Sequence, residues 1–197
     1  IELRDVVVTD ARGRTLVTVP RVVASKSLLG FLRDRSDLGE IDVHGPVVEV
    51  VSEGGSTNLE DAFAAYLKDD GMPPPPRRPA VRVRVTDGSV TLREGTSGRT
   101  AVFNAVGADV DVPADRGTSV ALSVAAAAGG GSPGTIAVRG AVGPGGQAEL
   151  KADGFPLESL SVVLRRAVPD LVVSGTLTAE LKARWATGEK ATATVEG

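Results

Sequence analysis

Alternation is what most restricts the folds open to this chain: from residue 81 onward, aliphatic side chains recur at every second position. Val81, Val83 and Val85 alternate with Arg82, Arg84 and Thr86, and Val90 and Leu92 resume after Asp87-Gly88. Val106, Ala108, Val110 and Val112 keep one phase, as do Val120, Leu122, Val124 and Ala126. Ile136 and Val138 follow, then Ala148, Leu150 and Ala152, and last Leu171, Val173, Gly175, Leu177, Ala179, Leu181, Ala183 and Trp185. A period of two sends successive side chains to opposite faces of a strand, so each run predicts a strand with one apolar face. The expected fold is mainly β with a few short helices (α+β), a twisted antiparallel sheet left open as a groove or half-barrel. The final run would extend over about 50 Å.

The remaining segments fill in the order of elements. Ile1–Arg4 and Val6–Thr9, the polar Asp10–Gly13 and then Leu16–Val23 read as a hairpin. Ser25 or Ser27 can cap a short helix carrying Leu28, Leu29 and Leu32. Ile41–Val51 alternates on both sides of Gly45-Pro46, which predicts one long kinked strand, because proline cannot donate to a ladder. Gly54-Gly55 turns the chain, and Asn58 looks like the N-cap of a helix with Glu60 and Asp61 in its first turn and Leu59, Phe63 and Leu67 along one side. Asp87-Gly88 has the composition of a hairpin turn, and 129–134 and 143–146 of a loop and a turn. Pro156 precedes Leu157, Leu160, Leu164 and Val168, a helical period that stops at Pro169. Residues 72–79 hold five prolines and two arginines and favour extended polyproline. They divide the chain into a hairpin and helix unit, 1–71, a linker, 72–79, and a β-groove unit, 80–197.

Charge and composition narrow the function. A net charge of −3, from 22 basic and 25 acidic residues interspersed along the chain, offers no basic face to nucleic acid. The absence of cysteine removes disulfides and thiolate metal sites. No apolar run approaches the roughly 20 residues that span a bilayer, and the chain starts at Ile1, so it reads as a segment whose signal or anchor lies upstream.

Candidate chemistry is weak. Gly130-Gly131-Ser132-Pro133-Gly134 matches the G-x-S-x-G hydrolase elbow in letters only: Pro133 lacks the N–H that would form the oxyanion hole, and the single histidine, His44, precedes the serine. The glycine run also lacks the Lys-Ser/Thr ending of a phosphate loop. One imidazole is a poor metal site, and Asp34, Asp37, Glu40 and Asp42, or Asp69-Asp70, lack EF-hand spacing and read as solvated loop faces. Trp185 suits either an interface or the core. No catalytic residue, cofactor or metal is expected.

Three segments in this order resemble the AsmA-like (TamB-like) superfamily of bacterial envelope proteins, and together they cover most of the chain. They are Ile41–Val51 running to Asn58-Leu59; Val85–Leu92 followed by Val102–Val112; and Phe155-Pro156-Leu157 through Leu171 to Trp185. The resemblance implies a non-enzymatic module of a larger protein, projecting into the periplasm of a diderm bacterium. Its anchor in the inner membrane would lie outside this segment, and it would bind or conduct phospholipid acyl chains between inner and outer membranes, in support of outer-membrane assembly and homeostasis. The groove would be lined by Val81, Val83, Val85, Val90, Leu92, Val106, Val110, Val120, Leu122, Val124, Ile136, Val138, Leu150, Leu177 and Leu181. The alternative is a structural envelope domain, closed over its own core, that docks other proteins without lipid.

Overall fold

The computed structural model describes residues 1–10, 12–53, 56–67, 78–95, 97–115, 120–128, 134–142, 145–161, 164–165, 168, 171–186 and 192–196. The order of elements is β1 (Glu2–Thr9), β2 (Thr15–Ala24), α1 (Leu28–Arg33), β3 (Asp37–His44), β4 (Val47–Glu53), β5 (Ser56–Thr57), α2 (Asn58–Leu67), β6 (Ala80–Glu94), β7 (Thr100–Val112), β8 (Val120–Ala128), β9 (Gly134–Val142), β10 (Gly145–Pro156), a 3₁₀ turn (Leu157–Leu160), β11 (Thr176–Ala186) and β12 (Thr192–Glu196). All twelve strands join one open sheet in the order β12-β11-β10-β9-β8-β7-β6-β3-β2-β4-β5, with β1 on β2. The mainly β, open-sheet architecture is as the alternation predicts.

From β6 to β12 every pairing is antiparallel. The exception to an antiparallel sheet is the other side of β6, which runs parallel to both β3 and β4. These two strands lie end to end along it, His44 opposite Thr86 and Val47 opposite Ser89, so Ile41–Val51 is one kinked line that keeps its register across Gly45-Pro46. The Gly45 N–H donates to the Thr86 carbonyl and the Ser89 N–H to that of Pro46, at 2.8 and 2.7 Å. Residues on both sides of 72–79 thus belong to the same sheet. Of the expected linker, 72–77 lies outside the described residues; the Arg78 N–H and Nε donate to the carbonyls of Ala114 and Pro113, at 2.9 and 2.8 Å.

Asp87-Gly88 does not turn the chain. Asp87 has φ of 54° and Ala105, across on β7, φ of 49°, and the registers of β6 and β7 both shift there. Each irregularity inserts a residue that switches the parity of its strand. Val81, Val83 and Val85 therefore continue onto the same face as Gly88, Val90 and Leu92, and on β7 Ala101 and Phe103 share a face with Val106, Ala108 and Val110. Gly88 makes a close approach at the crease: a Cβ there would come within 3.0 Å of the Val106 carbonyl and 3.2 Å of the Pro46 ring, so the neighbours would have to give by a few tenths of an ångström. The β6–β7 connection falls instead at 95–99.

The other differences are also local. The strand expected from Leu171 starts at Thr176, as β11, because Gly175 has φ of 109° and residues 171–174 are not extended into the sheet. The predicted helix from Leu157 begins as a 3₁₀ turn; the Val168 N–H to Leu164 carbonyl bond is helical, and 162–163, 166–167 and 169–170 lie outside the described residues. Residues 129–133, including Ser132, 143–144 and Asp69-Asp70 lie outside them too. Ser27, not Ser25, caps α1, accepting from the Gly30 N–H, while the Ser25 Oγ accepts from the Glu40 N–H on β3.

The N-cap of α2 is Thr57, which forms a reciprocal box with Glu60: the Thr57 N–H donates to Oε2 at 2.8 Å and the Glu60 N–H to Oγ1 at 3.1 Å. Asn58 acts on the sheet instead. Its Oδ1 accepts from the Val51 N–H and its Nδ2 donates to the Glu49 carbonyl, both at 2.8 Å, so one side chain completes the bonding of β4 between its β2 and β5 partners. Asn58→Ala leaves both backbone groups unpaired and is expected to cost about 1–3 kcal/mol. An unchanged midpoint in urea unfolding would contradict this role.

The β1–β2 turn is closed by Asp10, whose carboxylate accepts from the N–H groups of Arg12 and Arg14 and from Arg14 Nε, at 2.7–2.8 Å. Chiefly the Arg14 N–H, with the Arg14 guanidinium, holds its pKa below the usual range. Asp34, Asp37 and Glu158 are lowered in the same way by hydrogen bonds, led by the Ser36 hydroxyl, the Gly39 N–H and the Gly175 N–H. A carboxylate with a lowered folded pKa contributes stability that is complete above its unfolded value, about 4, and is lost as pH falls through the folded value. A thermal midpoint that declines on acidification below about pH 4 is expected, with a shallower decline in Asp10→Asn; identical pH profiles would contradict it.

Candidate functional site

Strand register sorts the side chains into two faces. On one, a row runs Ala24, Ile41, Val83, Val110, Leu122, Gly140, Ala148, Ala183 from β2 to β11. The next runs Val22, Val43, Val85, Ala108, Val124, Val138, Leu150, Leu181. Val81 lies outside these rows opposite Val112, and Val106, Val90, Leu92, Ile136 and Leu177 lie on their other side, opposite Gly88, Phe103, Ala101, Ala152 and Phe155. Val120 is placed by backbone register opposite Val142. All fifteen candidate positions thus share this aliphatic face.

Little of that face is fully covered. Among the described residues the buried apolar side chains are Leu16, Val19, Ala101, Ala152 and Phe155. Val81, Val83, Val85, Val90, Leu92, Val106, Val110, Ile136, Val138, Leu150 and Leu177 are half-buried, and Leu181 is 38% exposed. Among the described residues, α2 lies beside β4 and β5 and the 3₁₀ turn against β7. At that end Phe155 and Ala152 form a small core with Phe103, Ile136, Leu150, Leu160 and Leu177, the rings of Phe103 and Phe155 stacked 6.2 Å apart. The segment 157–175 is fastened at its base, since the Leu157 N–H donates to the Gly175 carbonyl and the Gly175 N–H to Glu158 Oε1, both at 2.9 Å. Val168 and Val172 on it are 52% and 81% exposed, and on α1 Leu29 and Leu32 are 70% and 65% exposed. Trp185 lies over Gly146 on the adjacent strand, its ring in the space a Cβ would need, so the indole covers backbone that a glycine leaves bare.

The opposite face is charged. Register carries a row through Asp42, Arg84, Asp109, Ser123, Arg139, Glu149, Lys182 and Glu196, with signs that alternate on either side of the serine. Arg84 pairs with Asp109 at 3.2 Å and Asp42 at 3.8 Å, and Arg82, one row over, with Asp111 at 2.7 Å and Glu40 at 3.7 Å. Like charges thus avoid direct opposition, which favours this register. A cleft of about 770 Å³ lies here, lined by residues of β6, β7, β9, β10 and β11. The long side chains of Arg82, Arg84, Arg139 and Arg184 wall this cleft, and Val110, Gly140, Ala148 and Ala183 of the first aliphatic row also contribute to its lining.

The weaker candidates resolve into structural contacts. His44 Nδ1 is hydrogen-bonded to Thr86 Oγ1 at 3.0 Å across the β3–β6 pair. Lys26 lies between Asp37 and Asp34, at 3.1 and 3.6 Å, and Glu40 and Asp42 face Arg82 and Arg84. Among the described residues no cluster of three or more His, Asp or Glu side chains is gathered in metal-binding geometry, and no helix is long and apolar enough to cross a membrane. No protein-family model matches the chain, and no curated protein matches it.

Proposed function

We propose that the aliphatic face is a binding surface for acyl chains, and that the chain is a non-enzymatic module of a periplasmic envelope protein that binds or conducts phospholipid between membranes. The observation that carries this reading is the pair of aliphatic rows crossing β2 to β11, half-exposed over most of their length. Contiguous apolar surface of this extent marks an interaction site in a water-exposed protein. An acyl chain laid along it gains roughly 0.8 kcal/mol for each CH₂ fully removed from water, so partial burial of a whole chain is worth several kcal/mol without polar contacts. Small Ala and Gly positions in the rows leave room for it, and the exposed Leu29, Leu32, Val168 and Val172 offer further apolar contact. The family resemblance supports the periplasmic setting and the anchor outside this segment. The alternative of a domain closed over its own core would need the valines of 81–138 fully buried.

Lipid extraction and mass spectrometry of the freshly purified protein is the test. Stoichiometric phospholipid is expected; protein free of lipid that takes up no fluorescent fatty-acyl probe would overturn the reading in favour of a docking scaffold.

A further inference from the structure

The cleft is walled chiefly by charged side chains, with Val110, Gly140, Ala148 and Ala183 of the first aliphatic row completing its lining. Five cationic side chains, Arg82, Arg84, Arg139, Lys182 and Arg184, line it with three anionic ones, Asp109, Asp111 and Glu149, and with Gln147. Glu40, Asp42 and Glu180 flank it and pair with Arg82, Arg84 and Lys182, so what can draw an anion is the cations left without an acidic partner. The cations are not equivalent. Arg82 and Arg84 are held by Asp111 and Asp109, and Lys182 by Glu180 at 3.2 Å. Arg139 and Arg184 make no ion pair within 4 Å among the described residues. Register sets them on β9 and β11, on either side of Glu149 and Gln147 of β10, with Cα atoms about 12 Å apart. Two extended guanidinium groups can close on one small anion across that gap, and their planar forks suit the oxygens of a phosphate.

The acidic groups refine the ligand. A bare polyanion would meet Glu149 and Asp109 at close range. A molecule bearing one phosphate and several hydroxyls meets them as hydrogen-bond donors instead, with Gln147 able to serve either kind of group. We propose that this cleft binds a polyol phosphate, its phosphate on Arg139 and Arg184 and its hydroxyls on Glu149, Asp109 and Gln147. The same chemistry is present in a soluble sugar phosphate and in the glycerol-phosphate headgroup of a lipid. The inference does not depend on the acyl-binding reading, since it uses only the charged and amide side chains of the lining.

The test is titration calorimetry of the whole chain with a hexose 6-phosphate, with the unphosphorylated hexose, and with vesicles of phosphatidylglycerol in phosphatidylcholine. Binding of the hexose phosphate identifies a soluble ligand, and binding of the vesicles alone identifies a headgroup. Either is expected to weaken at least about tenfold in the double variant Arg139→Gln/Arg184→Gln. Arg93→Gln, which removes a cation paired with Glu49 outside the cleft, is expected to bind normally. The two cleft arginines are exposed and make no ion pair among the described residues, so the thermal midpoint of the double variant should match that of the unsubstituted chain. Absence of binding in both arms, equal binding of the unphosphorylated sugar, or affinity unchanged in the double variant would overturn the proposal.

Discussion

Phe155→Ala is expected to lower the unfolding free energy by about 3–5 kcal/mol, the largest single-residue loss expected among the described residues. The ring is fully buried, with 0% exposure, and among the described residues only a few side chains are covered to that degree. It stacks on Phe103 and is enclosed by Ile136, Leu150, Leu160 and Leu177. Truncation removes the transfer energy of the ring and leaves a cavity that strands on either side cannot fill, because β10 is pinned between β9 and β11. The same ring seats the 3₁₀ turn, so loss of stability should come with faster amide exchange across 157–161. Urea unfolding that shows a change under about 1 kcal/mol, close to the cost of an ordinary surface substitution, would refute the assignment of the core to this end of the sheet.

The second large effect concerns the proposed ligand. Leu150→Asp/Leu181→Asp places two carboxylates at directly paired positions in the middle of the aliphatic face. Leu181 is 38% exposed and can solvate its new charge; Leu150 is half-buried and packs on the Ala152–Phe155 cluster, so uptake is compared below the variant's own thermal midpoint, where the charges still bar an acyl chain. Uptake of a fluorescent fatty-acyl probe is expected to fall by at least about tenfold, equivalent to about 1.4 kcal/mol. Lys151→Gln, one residue away but on the charged face, should leave uptake unchanged. A loss common to both variants would mean that the probe reports general stability, and a loss in neither would mean that acyl chains do not lie on this face.

How much of this was legible in the sequence depends on whether its cause is local. Alternation at Val81–Val85, Val106–Val112 and Leu177–Ala183 is local, and it marked both the strands and the shared face. The crease was not legible. Asp87-Gly88 has the composition of a hairpin turn, and nothing in Asn104-Ala105 marks a left-handed residue; only the pairing of β6 with β7 shows that two matched bulges keep the aliphatics together. Parallel pairing of β6 with β3 and β4 is a contact between distant segments, which no window of sequence contains. Asn58 had the residue type of a cap, but the strand edge beside it offered two unpaired backbone groups and Thr57 was free to cap instead. The cleft went unnoticed because its arginines and acids are spread over five strands, each run showing only an ordinary polar face.

The central claim is that acyl chains meet the aliphatic face and not the charged one. Photo-crosslinking tests it most directly: a photoreactive amino acid is placed at Val138 or Leu150 on one face, and at Asp109 or Glu149 on the other, and each protein is irradiated with labelled phosphatidylcholine, whose headgroup carries no polyol. The account predicts lipid adducts from Val138 and Leu150, and none from Asp109 and Glu149. Adducts from all four positions alike, or from the charged face only, would contradict it.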